Sequence, residues 1–133
     1  MLALGVPDAS GLDLSFGRIN AFISRDDSRG KRRSALLVAG LAGLGRIDVR
    51  TADRLNRRHG LAIGRGSRWT RIIDASAARG QAGVVAIMAG TGLQASGFEQ
   101  VPSSHLYHAI AGLKRTGQEF TARMIAAEAL ART

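Results

Sequence analysis

Apolar residues recur along this chain at helical spacing, and glycines stand where each run breaks. Ser15 is a helix-capping residue, and Phe16, Ile19, Phe22 and Ile23 after it share one helical face. Residues 24–33 (SRDDSRGKRR) contain no apolar side chain and read as a linker or exposed loop. Ser34 then opens ALLVAGLAGLG, too apolar for an amphipathic face and therefore buried all round if helical, with Gly43 and Gly45 ending it.

Asp48 caps the next predicted helix, which runs through His59. Val49, Ala52, Leu55 and Asn56 form its inner face, Arg50, Asp53, Arg54 and Arg57 point outward, and Gly60 closes it. Ser67 caps a helix to Arg79 with Trp69, Ile72, Ile73 and Ser76 on one stripe, closed by Gly80. Residues 81–90 form a second all-apolar run, in which Val84, Val85, Ile87 and Met88 are expected to be buried. Residues 91–101 read as loop. Pro102, Ser103 and Ser104 start a helix that turns Leu106, Ala109, Ile110 and Leu113 inward. Residues 118–132 form the last helix, with Phe120, Met124, Ala127 and Ala131 on its inner stripe.

The short connections imply antiparallel pairs. The fold expected is all-α, with five to six helices in antiparallel hairpins, either α-solenoid-like or a compact bundle. Residues 1–33 are expected to be an N-terminal segment with a short helix and a basic linker, and residues 34–133 the helical domain. The alternative is α/β with a short parallel sheet. There residues 36–39, 61–63 and 84–88 would be strands, and Gly40-x-x-Gly43-x-Gly45 a phosphate-cradling turn of a nucleotide-binding enzyme. Ala, Leu and Met dominate these segments over the β-branched residues that strands favour, which argues for helix.

Composition sharpens the picture. The 133 residues suffice for one domain with a real core, and 5% aromatic content against 17 glycines implies close packing through small residues. Cysteine is absent, which excludes disulfides, thiolate metal sites and cysteine nucleophiles. The longest apolar runs fall well short of the roughly 20 residues of a membrane span, and residues 1–10 lack the basic and apolar regions of a secretory signal. A cytoplasmic chain is the resulting expectation.

Net charge is +9, and it is uneven: residues 1–79 carry 15 basic and seven acidic side chains, a net of +8, while residues 80–133 carry four and three. Such a field attracts phosphate and acidic protein surfaces alike, and Arg can grip either with paired hydrogen bonds. Three clusters hold the candidate partner-binding residues: Arg29, Lys31, Arg32 and Arg33; Arg54, Arg57 and Arg58; and Arg65, Arg68 and Arg71, with Trp69 inside the last and able to stack on a base. The helices on either side of residues 60–66 are loosely like a helix-turn-helix, with a longer turn.

Catalytic signals are missing. There is no G-x-S-x-G or H-E-x-x-H motif, and no carboxylate pair is spaced for acid–base work. His105 and His108 stand at the i,i+3 spacing that can share a metal, without a third ligand nearby. No catalytic residue, cofactor or metal is therefore expected. The expected function is a non-enzymatic helical interaction module binding an acidic protein surface, with nucleic acid on the same basic face as the alternative.

Ala39-Gly40-Leu41 with Gly45 is echoed at Ala111-Gly112-Leu113 with Gly117. The segment HLYHAIAGLKRTGQEFTARMIAAEALAR resembles the helical hairpins that close α-solenoids of the tetratricopeptide type, within a likeness spanning residues 67–133, although the Trp, Tyr and Pro of such a unit fall out of register. The resemblance implies a hairpin packing mode, a protein-binding role and no catalytic residue. It also implies stacked neighbours, whether a second copy or a longer helical array.

Overall fold

A computed structural model of the chain describes residues 2–8, 11–94 and 101–132. Among them the chain forms eight α-helices and no strand: α1 (Leu2–Gly5), α2 (Phe16–Arg25), α3 (Arg32–Gly43), α4 (Val49–His59), α5 (Arg68–Ala78), α6 (Ala82–Gln94), α7 (Ser103–Arg115) and α8 (Glu119–Ala131). The all-α expectation holds and the α/β alternative has no support, since residues 36–39 lie within α3 and residues 84–88 within α6. The count is eight rather than five to six. Part of the excess is α1, a single turn within residues 1–33, where one short helix was expected.

Capping explains the boundaries. Ser15, Asp48 and Ser67 each accept a hydrogen bond from the backbone N–H three residues on, at Arg18, Thr51 and Thr70. Four helices end alike. A left-handed glycine (Gly45, Gly60, Gly80 or Gly117) is followed by a residue whose N–H returns to the carbonyl five positions back: Arg46 to Leu41, Leu61 to Asn56, Gln81 to Ser76 and Gln118 to Leu113. The α3 and α7 ends carry the sequence echo, so that likeness records a shared way of stopping a helix.

Helix α7 packs against α3, α5, α6 and α8, and it brings Leu106, Ala109, Ile110 and Leu113 into the core as expected. Glycines set the approach distances. A Cβ on Gly43 would lie 2.8 Å from Ile110 Cγ2, and one on Gly112 would lie 3.2 Å from Val85 Cγ1. On the other side of α3, a Cβ on Gly40 would lie 2.9 Å from Leu4 Cδ2 and 3.4 Å from Ala126 Cβ, where α1 and α8 converge. Leu4 of α1 and Ile23 of α2 join the same continuous core.

Several expected faces are rotated. Helix α8 buries Ala122, Ala126, Ala129 and Leu130, while Phe120 is 67% exposed and Met124 is also exposed. Two positions along a helix are about 200° around it, so the larger apolar residues lie nearly opposite the face that the close approach to α1 and α3 selects. Helix α6 is apolar all round but covered on one side only. Val85 and Ala89 are buried, Met88 is half-buried, Val84 is exposed and Ile87 is 70% exposed. Ile72 of α5 and Val49 of α4 also leave the inner faces assigned to them. Helix α6 continues through Gln94, past Thr91 where a loop was expected, and residues 95–100 of that expected loop lie outside the described residues. No helix among the described residues is long and apolar enough to cross a membrane.

Candidate functional site

Residues 24–33 carry the first basic cluster, and most of the segment is built structure rather than linker. Helix α2 runs through Arg25, a 3₁₀ turn spans Arg29–Lys31, and α3 starts at Arg32. Asp26 organises the corner. Its Oδ2 accepts from the Ser34 N–H at 2.9 Å and the Ser34 hydroxyl at 2.5 Å, and its Oδ1 accepts from the Ser28 N–H and hydroxyl. The carboxylate thus caps α3 from eight residues upstream of Ser34, a role Lys31 at the N-cap position does not fill. Burial works against this charge, but the hydrogen bonds from Ser28 and Ser34 outweigh it and hold the carboxyl at about 2.

Lys31 is turned inward, donating from Nζ to the carbonyls of Ile23 and Asp26 at the end of α2. Arg32 is half-buried, and burial lowers its pKa. Arg29 and Arg33 remain exposed.

The second cluster occupies the outer face of α4, where Arg50, Arg54, Arg57 and Arg58 are all exposed. The Arg54 guanidinium lies 4.0 Å from the centre of the Phe16 ring of α2, and Arg57 Nε is 3.1 Å from Asp53 Oδ2. His59 at the end of α4 is tied to α2, its Nε2 lying 2.8 Å from Asn20 Oδ1. Burial, then Arg58, then Lys31 lower the His59 pKa. Helix α4 packs on α2 with its arginines outward, and Arg29 and Arg33 are the exposed basic residues of the turn that follows α2.

The third cluster lies on another part of the fold. Arg65, Arg68 and Arg71 are exposed, but α5 packs on α6 and α7 whereas α4 packs on α2 and α3, so the two helices do not form a helix-turn-helix pair. Trp69 is engaged within the fold. Its Nε1 donates to the Met88 carbonyl at 3.1 Å, and its ring lies 4.6 Å from the ring of His105. His108 Nδ1 is 2.8 Å from Asp74 Oδ1. The two histidines are thus directed to different partners on α5. Burial, followed by the neighbouring His108, lowers the His105 pKa.

Other basic side chains serve the fold. Arg46 Nη1 donates to the Ala3 carbonyl at 2.7 Å and its Nη2 donates to the Val6 carbonyl. Arg123 Nη1 donates to Gly5 at 3.0 Å, and Lys114 Nζ donates to Leu44. These groups satisfy carbonyls that helix ends leave unpaired. Part of the positive charge is thereby structural.

Beside the basic surface lies a small cleft that periodicity alone did not reveal, because its walls come from three helices and a loop. Ala42 of α3, Val49, Ala52, Asp53 and Asn56 of α4, Ile63 and Gly64 of the following loop, and Tyr107 of α7 enclose about 130 Å³. Asn56 Oδ1 accepts from the Ile63 N–H at 3.3 Å and holds the loop against α4. No protein family, curated protein or solved structure matches the chain.

Proposed function

We propose that this chain is a non-enzymatic helical interaction module that docks an acidic protein surface on the basic face of α4. The observation that carries the reading is the company the exposed arginines keep. On α4, Arg50, Arg54, Arg57 and Arg58 share the surface with Val49, which is 80% exposed, and the Arg54 guanidinium lies over the half-buried Phe16 ring of α2. Arginine beside large apolar side chains, with lysine scarce, is the composition of protein interfaces. The stacking of hairpins α5–α6 and α7–α8 through α7 supports the same role, since helical-hairpin modules present surfaces this way.

Nucleic acid on the same face is the second reading, and the net charge of +8 over residues 1–79 favours it. Against it, Trp69 is packed away from the basic surface, and Lys31 is turned into the fold. A photo-crosslinker in place of Arg50 is expected to give a discrete protein adduct in the producing cell, lost when Arg54, Arg57 and Arg58 are replaced by Ala. A labelled DNA duplex is expected to bind no tighter than about 0.1 mM at physiological salt, the weak end of non-specific binding. Tighter binding with a steep salt dependence that the triple variant flattens would install nucleic acid instead.

A further inference from the structure

The geometry points to a bipartite recognition site on α4, in which the cleft between α4 and Tyr107 takes one branched aliphatic side chain of an acidic segment whose carboxylates pair with the adjacent arginines. This deepens the reading of the α4 face as a protein-docking surface and rests on it.

Size sets the occupant. About 130 Å³ is well below the roughly 300–1,000 Å³ of small-molecule sites. It is close to the roughly 150 Å³ apolar cavity that takes a single benzene. One leucine-sized side chain suits it, whereas a cofactor does not. The walls are apolar at Ala42, Ile47, Val49, Ala52 and Ile63. Nucleic acid offers no aliphatic anchor of this kind, so the cleft also separates the two partner classes.

Helical geometry places the charges. Val49, Ala52, Asp53 and Asn56 follow the i, i+3, i+4, i+7 pattern of one stripe, and Arg50 and Arg57 stand on the neighbouring stripe. Asp53 reaches from the cleft wall to Arg57 at 3.1 Å, which puts that guanidinium beside the cleft. The Asp53–Arg57 pair is largely exposed, so a partner carboxylate can replace Asp53 at little cost. The mouth is held ready: Asn56 ties down Ile63, and Val49 projects into solvent beside it. A side chain entering here covers Val49, and the acidic residues flanking it meet Arg50 and Arg57.

The test uses two labelled oligoglutamate peptides, one with a single central leucine and one with a central alanine, titrated by fluorescence anisotropy into the full chain. The leucine peptide is expected to bind about tenfold tighter, the gain from burying its extra apolar carbons. Ala52→Phe, which fills the cleft, is expected to abolish that difference. Should Ala52→Phe unfold, Val49→Ser at the exposed mouth is expected to shrink the same ratio. Arg57→Glu is expected to weaken both peptides equally. Equal affinity of the two peptides for the wild-type chain would overturn the cleft assignment while leaving the basic docking face in place. Failure of both to bind, or tighter binding of a DNA duplex at the same salt, would overturn the docking face and the cleft together.

Discussion

The Trp69 indole lies directly on Gly92: a Cβ built on that glycine would sit 2.3 Å from Trp69 Cζ2 and 2.4 Å from Cε2. The hydrogen bond from Nε1 to the Met88 carbonyl, one turn earlier on α6, pins the ring there. Gly92→Ala is therefore expected to destabilise the fold by roughly 1–3 kcal/mol, the usual range for overpacking. Trp69→Leu is expected to cost stability alone but to relieve most of the Gly92→Ala penalty. Urea denaturation of the two single variants and the double variant measures that coupling. Additive effects would show that the ring and the glycine do not meet.

Two neighbours on α6 are expected to behave in opposite ways. Val85 is fully buried against Gly112 of α7, whereas Ile87 is 70% exposed. Val85→Ala is expected to cost roughly 1–3 kcal/mol and Ile87→Ala no more than about 0.5 kcal/mol. Chemical denaturation midpoints at matched slopes decide it. A large loss at Ile87 would mean that this face is covered.

These two positions also show what the sequence could convey. Helix starts and stops were legible because they are local: Ser15, Asp48 and Ser67 cap the helices they precede, and Gly45, Gly60, Gly80 and Gly117 turn the chain at the ends. Inner faces were legible where polar residues mark the outside, as on α7. They were not legible on α6, where every residue is apolar, small or uncharged and periodicity carries no phase. On α8 the largest apolar residues pointed to the wrong side, because the packing there requires alanines against Gly40 and Leu4. The candidate site divided in the same way. The arginines of α4 were placed outside by their spacing, whereas the cleft depends on Tyr107, which lies more than 40 residues further along the chain. Trp69 drew attention as an aromatic among arginines, but a ring's partner three-dimensionally opposite it, here Gly92, leaves no local mark.

The loop below the cleft stores strain at Ala62, which adopts a φ of 57° in the left-handed region that disfavours residues with a Cβ. Ala62→Gly removes that penalty but increases the freedom of the unfolded chain. The net effect expected is a gain of a few tenths of a kcal/mol, up to about 1. Ala62→Val, with a branched side chain in the same conformation, is expected to cost more than about 1 kcal/mol. Thermal unfolding of both variants checks the order glycine, alanine, valine. The reverse order would mean that the loop does not hold this conformation, and that Ile63 does not wall the cleft.

Asp26 gives the fold an acid-side weakness with a defined sign. Its carboxyl titrates at about 2 in the folded chain and near the ordinary aspartate value of 3.8 when unfolded, so between those values the unfolded state binds more protons. The stability supplied by the charged capping group is fully present above about pH 4, and it is lost as pH falls toward 2. Asp26→Ala removes the hydrogen bonds to Ser28 and Ser34 and leaves the start of α3 uncapped. It is expected to cost about 1–2 kcal/mol at neutral pH, in the upper range for helix caps. The variant is also expected to lose less stability than the wild-type chain between pH 4 and pH 2, because the group whose protonation penalises the fold is gone. Urea midpoints across that interval measure both effects. Parallel pH profiles for the two chains would show that Asp26 carries no depressed titration and that another group caps α3.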